Sequence, residues 1–123
     1  MSQPVELSAL RERIVEYGSN AFLVTVAAEG TPHVVSVVVE VQGDRLVMGA
    51  GRRTRANLEV APTLTLLWSP IPTGTDTDYS LIVDGRYDAS IAGDDAIAIV
   101  PTSAILHRIA GAPGDGPTCL PLA

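Results

Sequence analysis

Alternation of apolar and polar residues predicts three consecutive strands between residues 21 and 50. The first covers 21–28. The second covers 33–42, where the odd-numbered valines share one face and polar residues lie on the other, mixed face. The third covers 45–50. Short turn sequences, Glu29–Pro32 and Gly43–Asp44, join them. Because strands connected this closely pair antiparallel, the segment predicts a three-stranded meander.

The second half of the chain predicts three more strands. One covers 63–69, and another covers 79–90 with strong alternation. The alternation continues through Gly85, which favours a single bent or bulged strand over a hairpin. A last strand covers 96–109 and is interrupted at Pro101, a residue that fits a bulge or an edge.

Two helices are predicted around these strands. Residues 3–17 show a helical apolar period, with Ser2 as a cap and Gly18 as a stop. A second helix of about two turns is predicted over 55–61, with Thr54 as its N-cap. The apolar positions of the first helix are Leu7, Leu10, Ile14 and Tyr17.

These elements predict a mainly β domain over residues 1–110. Six strands with tight turns, one leading helix and one short inserted helix fit a small antiparallel barrel. The alternating strand-helix order of a doubly wound fold is missing. Residues 111–123 are rich in proline and glycine and form a separate tail.

Charge and composition narrow the classes of function. The formal net charge is -6, which argues against non-specific binding to nucleic acid or to an anionic membrane. All fixed positive side chains are arginine, so lysine chemistry such as a Schiff base is excluded. The single cysteine, Cys119, permits neither an internal disulfide nor a cysteine zinc site. The N-terminus lacks the pattern of a signal peptide, and no apolar run is long enough to span a bilayer, so a cytoplasmic protein is expected.

One segment, 47–62, concentrates positive charge in this acidic chain. A strand leads into two glycines, three arginines and a predicted helix start. Helix N-termini and guanidinium groups both favour anions, and glycine allows close approach, so the segment predicts a phosphate site on a small cofactor. A solvated basic helix end is the alternative. The residues are Gly49, Gly51, Arg52, Arg53 and Arg55.

Other nucleotide motifs and catalytic residues are not supported. A dinucleotide fingerprint would need a third glycine at Thr54, and a Walker A loop needs a lysine. His33 and His107 are isolated, so no metal site is predicted, and each is interpreted as a surface or interface residue. Ser36 lacks the surroundings of a hydrolase nucleophile. Trp68 is interpreted as a core or interface residue. No catalytic acid or base is identified.

Four segments in register carry a resemblance to a known family. They read FLVTVAAEGTPHVVSV at 22–37, RLVMGAG at 45–51, RTRANLEVAP at 53–62, and the pair VDGR at 83–86 with AILHR at 104–108. Together they resemble the pyridoxamine 5'-phosphate oxidase-like, FMN-binding split-barrel family over about residues 5–109. The resemblance implies a six-stranded antiparallel split β-barrel that forms a homodimer, with the flavin at the subunit interface.

The resemblance also implies which residues bind the cofactor. The second strand runs along the flavin ring, the third strand follows the cofactor, and the arginine segment binds the phosphate. A last-strand position reaches the cofactor or the substrate. The implied cofactor-binding residues are Val34, Val35, Ser36, Val37, Met48, Gly49, Gly51, Arg53, Thr54, Arg55, Asn57 and Arg108.

The cofactor and the reaction stay open at this point. FMN is the implied cofactor, and the deazaflavin coenzyme F-420 is the alternative in the same groove. Either would make the protein an oxidoreductase for an unidentified small organic substrate. The resemblance does not extend to the additional substrate segment of true pyridoxamine 5'-phosphate oxidases, so that vitamin activity is not predicted. A non-catalytic flavin- or haem-type binding protein is a second hypothesis, and a structural dimer whose cofactor site has decayed is a third.

Overall fold

Six antiparallel strands close into a barrel in the computed structural model, which describes residues 2–71, 77–93 and 95–111. A seventh, short strand lies outside the barrel. The strands are β1 (Ser2–Pro4), β2 (Asn20–Val26), β3 (Pro32–Gln42), β4 (Arg45–Gly49), β5 (Thr63–Trp68), β6 (Tyr79–Ala92) and β7 (Ala96–Arg108). A 3-10 helix (Leu7–Ala9) leads into α1 (Leu10–Tyr17), and α2 (Arg52–Val60) lies between β4 and β5.

The strand order explains the closure. Neighbours follow the order β1-β7-β4-β3-β2-β5-β6, and β6 pairs again with β7 to complete the ring. The outside strand β1 adds to β7, with Ser2 opposite His107. The predicted six-stranded antiparallel barrel with two helices is therefore confirmed.

The barrel interior is built from the inward faces predicted by the alternation. Leu23, Leu66 and Val83 have no exposed surface, and Trp68 is only 1% exposed. The indole nitrogen of Trp68 donates a 2.8 Å hydrogen bond to the carbonyl of Gly18, so the buried polar atom is satisfied. The interpretation of Trp68 as a core residue is confirmed.

Gly85 lets β6 bend against β7. A Cβ atom at this position would lie 2.6 Å from Cδ1 of Ile99 and 3.0 Å from the carbonyl oxygen of Val100. The pairing register also changes here, because Asp84 is opposite Ser103 whereas Gly85 is opposite Pro101. One residue of β7 is thus left as a bulge, and β6 continues as one bent strand, as predicted.

The N-terminal helix prediction was wrong at its beginning. Residues 2–4 form a strand rather than the first turn of a helix, and the α-helix starts only at Leu10. The amide of Val5 donates a 2.8 Å bond to Ala104, so the edge of β7 holds this segment extended. Pairing with a distant strand has overridden a local helical period.

The prediction that Thr54 caps the second helix was also wrong. The helix begins at Arg52, and Gly51 is its N-cap with extended backbone angles (φ -82°, ψ -178°). Thr54 is instead the third helical residue, and its side chain is buried. The helix therefore starts immediately after β4, which places Arg52 and Arg53 in its first turn.

Parts of the sequence interpretation lie outside the described residues. They include residues 72–76, in the connection between the predicted strands 63–69 and 79–90, and the tail beyond Gly111, with Cys119. Within the described residues, neither helix combines the length and the apolar character needed to cross a membrane.

Candidate functional site

The barrel is split beside the first half of β3. On one side β3 pairs with β2 from Pro32 to Val38, but on the other side it pairs with β4 only from Val39 to Gln42. The amide of Val39 donates a hydrogen bond to the carbonyl of Ser19, so the backbone groups of Val39 point to the β2 side. Because the direction of backbone groups alternates along an antiparallel strand, the even-numbered residues 34–38 direct their amides and carbonyls into the split.

The N-terminus of α2 faces this split. Gly51 offers no side chain to the free amides of the first turn, and that turn contains no acidic residue. A Cβ atom added to Gly51 would meet nothing within 4 Å, so the approach to these amides is open. The split therefore combines an open strand edge with an uncapped helix start.

Two clefts meet at this helix start. The first, which we call the edge cleft, has a volume of about 620 Å³. The second, the turn cleft, has a volume of about 660 Å³. The edge cleft is lined by His33, Val35, Ser36, Val37, Val38, Gly49, Gly51, Arg52, Arg53 and Thr54. The turn cleft is lined by Ala27, Ala28, Glu29, Thr31, Pro32, His33, Arg52, Arg53, Ala56 and Asn57.

Arg52 and Arg53 line both clefts. Both side chains are exposed, and neither forms a hydrogen bond or an ion pair within the described part of the chain. Positive side chains at a helix N-terminus are unfavourable, because the dipole is also positive there. An anion bound between them would relieve this repulsion and use the free amides at the same time.

Arg55 has a different role in the structure. Its Nη2 donates to the carbonyls of Gly93 at 2.8 Å and Ala96 at 3.2 Å. Its Nε donates a long 3.4 Å bond to the carbonyl of Ala50. Arg55 lines neither cleft and instead fastens α2 to the connection between β6 and β7.

Arg55→Ala is expected to lower the free energy of unfolding by about 1–3 kcal/mol, since the carbonyls of Gly93 and Ala96 lose a charged donor. Chemical denaturation of the purified variant measures this. Arg52→Ala is the matched control, because its side chain is exposed and forms no hydrogen bond or ion pair among the described residues, and its unfolding midpoint is expected to match the parent. Equal stability of both variants would contradict the anchoring role of Arg55.

Asn57 and Thr54 are also held inside the structure. The side-chain amide of Asn57, 6% exposed, donates a 3.1 Å bond to the hydroxyl of Thr25 on β2. Thr54 is 2% exposed. The hydrogen bond of Asn57 and the burial of both side chains fix the position of α2 along β2 and its rotation about its own axis. The first turn of the helix is thereby held at the split.

The structure brings together some of the predicted site residues and separates others. Seven of them line the edge cleft, and Asn57 lines the turn cleft. Val34 is 56% exposed on the outer face of the barrel, and Met48 is buried in the core. Arg108 lies at the far end of β7, where Nη2 is 3.7 Å from the carboxylate of Asp78. The cofactor-binding roles of all twelve residues stay predictions.

Two residues that line both clefts, Arg52 and His33, were not among the twelve cofactor-binding residues that the resemblance implied. Arg52 belongs to the arginine segment that predicted a phosphate site, but the resemblance did not include it in the cofactor-binding set. His33 follows the turn at the beginning of β3 and lines both clefts. Its Nδ1 is buried and has no hydrogen-bond partner among the described residues. Buried polar atoms in proteins usually have a hydrogen-bond partner, so the Nδ1 of His33 is an exception within the described residues.

Sequence comparison shows the relatives of the chain. No protein-family model matches it. Uncharacterized proteins from Mycobacterium bovis and Mycobacterium tuberculosis are each 39% identical over 132 aligned positions, covering 95% of this chain and 88% of theirs.

Solved structures show which proteins have a similar fold. An F-420 reductase has a TM-score of 0.59 at 17% identity, covering 76% of this chain and 94% of its own. A Listeria innocua protein, assigned as a pyridoxamine 5'-phosphate oxidase, has a TM-score of 0.59 at 18% identity, covering 82% of this chain and 98% of its own. An FMN-binding protein from Syntrophomonas wolfei has a TM-score of 0.58 at 13% identity, covering 80% of this chain and 83% of its own. The chain therefore belongs to one family with the mycobacterial proteins, and its fold is that of the pyridoxamine 5'-phosphate oxidase-like split-barrel superfamily.

Proposed function

We propose that the protein is a flavin-type oxidoreductase that binds a phosphate-bearing cofactor, FMN or F-420, and acts on a small organic substrate. The observation that carries the proposal is the position of Arg52 and Arg53, which have no polar partner among the described residues, at an uncapped helix start beside an open strand edge. The fold similarity to an F-420 reductase and to an FMN-binding protein supports the same class of cofactor.

The phosphate would be held at the first turn of α2. Arg52 and Arg53 supply guanidinium donors, and the amides after Gly51 supply uncharged donors. Gly51 leaves room for the ligand to approach the backbone. Because the side chain of Arg55 already bonds three carbonyls, we assign it to holding the helix rather than to holding the phosphate.

The flavin ring would lie along the open edge of β3. The backbone groups of Val34, Ser36 and Val38 point into the split and can bond the polar edge of a ring. Val35 and Val37 line the same cleft with apolar surface, which suits a flat aromatic system. When bound, such a cofactor supplies hydride transfer, and the protein positions it and polarises its ring.

A homodimer would cover the outer face of β2 and β3 beside the split. Phe22 and Val26 on β2 are 42% and 40% exposed, and Val34 and Val38 on β3 are 56% and 61% exposed. These residues lie on the same face of adjacent, paired strands and form an apolar patch around Ser36, which is opposite Phe22. Monomeric proteins rarely expose such patches, so the patch supports burial against a second copy of the chain.

The test is a titration of the purified full-length protein with FMN and with F-420, followed by absorbance and by melting temperature. Binding of either cofactor is expected to raise the melting temperature, because a ligand of the native state stabilises it. Reduced cofactor that is then consumed by an organic substrate identifies an enzyme. Binding without turnover identifies a storage or sensing protein, and no binding of either cofactor contradicts the proposal.

A further inference from the structure

We propose that the substrate of this protein is an uncharged aromatic molecule, and that it binds in a further cleft at the other end of β2. This inference rests on the proposed function and adds the class of substrate to it. The cleft, which we call the neutral cleft, lies between the end of α1, the start of β2 and the segment after β5. Its volume is about 300 Å³, at the small end of the range for ligand sites.

The neutral cleft adjoins the edge cleft at Ser36. This residue lines both clefts, and it is opposite Phe22 in the pairing of β3 with β2. A molecule in the neutral cleft would therefore lie beside the open edge of β3, which is where we place the flavin ring. Hydride transfer requires the reacting atoms to be held close together, so this position suits a substrate.

The lining of the neutral cleft carries no charged side chain among the described residues. It consists of alanine, asparagine, isoleucine, phenylalanine, proline, serine and tyrosine. The edge cleft, by contrast, contains Arg52 and Arg53. A phosphate or carboxylate in the neutral cleft would lose its hydration without gaining a positive partner, which is unfavourable. The lining therefore selects an uncharged molecule.

The side chains of the neutral cleft suit an aromatic ring with polar substituents. Phe22 is 42% exposed and Ile71 is half-buried, so they offer an aromatic and an aliphatic surface. Asn20, Ser36 and Ser69 are exposed, and their side chains form no hydrogen bond within the described residues. Carbonyl or hydroxyl substituents of a ring can bond these amide and hydroxyl groups.

Buried neighbours hold the α1 and β2 walls of the neutral cleft. Tyr17 is 8% exposed, and its hydroxyl donates a 2.8 Å hydrogen bond to the carbonyl of Tyr79. Ala21 is buried, and Phe22 is opposite Leu67 in the pairing of β2 with β5. These walls are therefore preformed, as is usual for small-molecule sites.

The proposed homodimer would close the neutral cleft. Phe22 and Ser36 belong to the face of β2 and β3 that a second copy would cover. Such a cover would exclude water from a bound substrate. A side chain of the second copy is the competing occupant, and it would contribute to dimer stability instead of substrate affinity.

The first experiment compares cinnamamide with cinnamate by calorimetric titration of the protein saturated with FMN or F-420, whichever binds more tightly. The two probes share one shape and differ in charge, and the saturating cofactor occupies the arginine site. Cinnamamide is expected to bind about tenfold or more tightly than cinnamate, because only the anion loses strong hydration. Equal or tighter binding of cinnamate overturns the inference.

A matched pair of variants locates the probe. Ser69→Phe puts a large side chain into the neutral cleft just after β5, and Thr63→Phe adds the same side chain at the exposed first position of β5, outside the cleft. Ser69→Phe is expected to weaken cinnamamide about tenfold and to leave cofactor affinity within about twofold. Thr63→Phe is expected to change neither.

Unchanged cinnamamide binding in Ser69→Phe overturns the inference. If the dimer of this variant also dissociates in analytical ultracentrifugation, the cleft belongs to the second copy instead of a substrate.

Failure of the proposed function would give a different result. Neither FMN nor F-420 would then bind, while the free protein would still bind cinnamamide and lose it in Ser69→Phe, which keeps the neutral cleft as a site for uncharged aromatic molecules. Cofactor binding without any binding of cinnamamide overturns only the inference about the neutral cleft.

Discussion

Replacing Arg52 and Arg53 together with alanine is expected to weaken cofactor binding by about a hundredfold or more. Each charged hydrogen bond to a phosphate contributes about 1.5–3 kcal/mol, and 1.4 kcal/mol corresponds to a tenfold change in affinity. Both side chains are exposed and form no hydrogen bond or ion pair among the described residues, so the fold is expected to remain intact. Titration with FMN and F-420, together with thermal denaturation of the free protein, measures both quantities.

The control for this double variant is Arg11→Ala with Arg86→Ala. Both of these arginines are exposed and lie outside the two clefts. Each double variant removes two positive charges, taking the formal net charge from -6 to -6 - 2 = -8. The control separates loss of the phosphate contacts from a general repulsion of anions. A similar loss of affinity in both variants would show that the first turn of α2 does not hold the phosphate.

Replacing Val34 with aspartate is expected to convert the proposed homodimer into monomers at micromolar concentration. Two-fold symmetry would bury one carboxylate from each subunit in the interface, and an unpaired buried charge is strongly unfavourable. The dimer dissociation constant is expected to rise about a hundredfold or more, a loss of about 3 kcal/mol. Analytical ultracentrifugation over a concentration series measures it. Cofactor affinity is expected to fall in parallel if the interface closes the edge cleft.

Val60→Asp provides the comparison for Val34→Asp. Val60 is 64% exposed and belongs to α2, away from the apolar patch on β2 and β3. This variant is expected to keep the association state of the parent protein. A dimer that survives Val34→Asp would show that the subunits associate through another face, and a parent protein that is monomeric at high concentration would rule out the homodimer.

Most of the fold could be predicted from local patterns. Alternation located the six barrel strands, and the glycine- and proline-containing turns fixed their antiparallel connections. The kink at Gly85 was visible because the alternation ran through it. The errors lie at Ser2–Pro4 and at Thr54, where pairing with β7 and the position of Gly51 decided the outcome. A single sequence shows neither the pairing of β1 with β7 nor the residue at which α2 begins.

For the candidate site too, the sequence predicted one part and the tertiary structure decided the other. By itself the sequence predicted a phosphate-binding segment, because glycines, arginines and a helix start are adjacent in the chain. The tertiary structure separated the arginines. Arg52 and Arg53 face the clefts, whereas Arg55 lies further round the helix and bonds the carbonyls of Gly93 and Ala96. The sequence alone did not resolve this division, because it depends on where the helix begins and on what packs against it.

The sequence therefore determined the strands along the chain and the antiparallel meander of β2, β3 and β4, and it predicted the chemical character of the site, since these follow from short-range periodicity and turn chemistry. Only the tertiary structure decided that β4 leaves β3 at Val39, which opens the split. It also placed His33 beside Arg52 and Arg53 and put Arg108 at the far end of β7. These features arise from contacts between residues distant in sequence, so no local pattern encodes them.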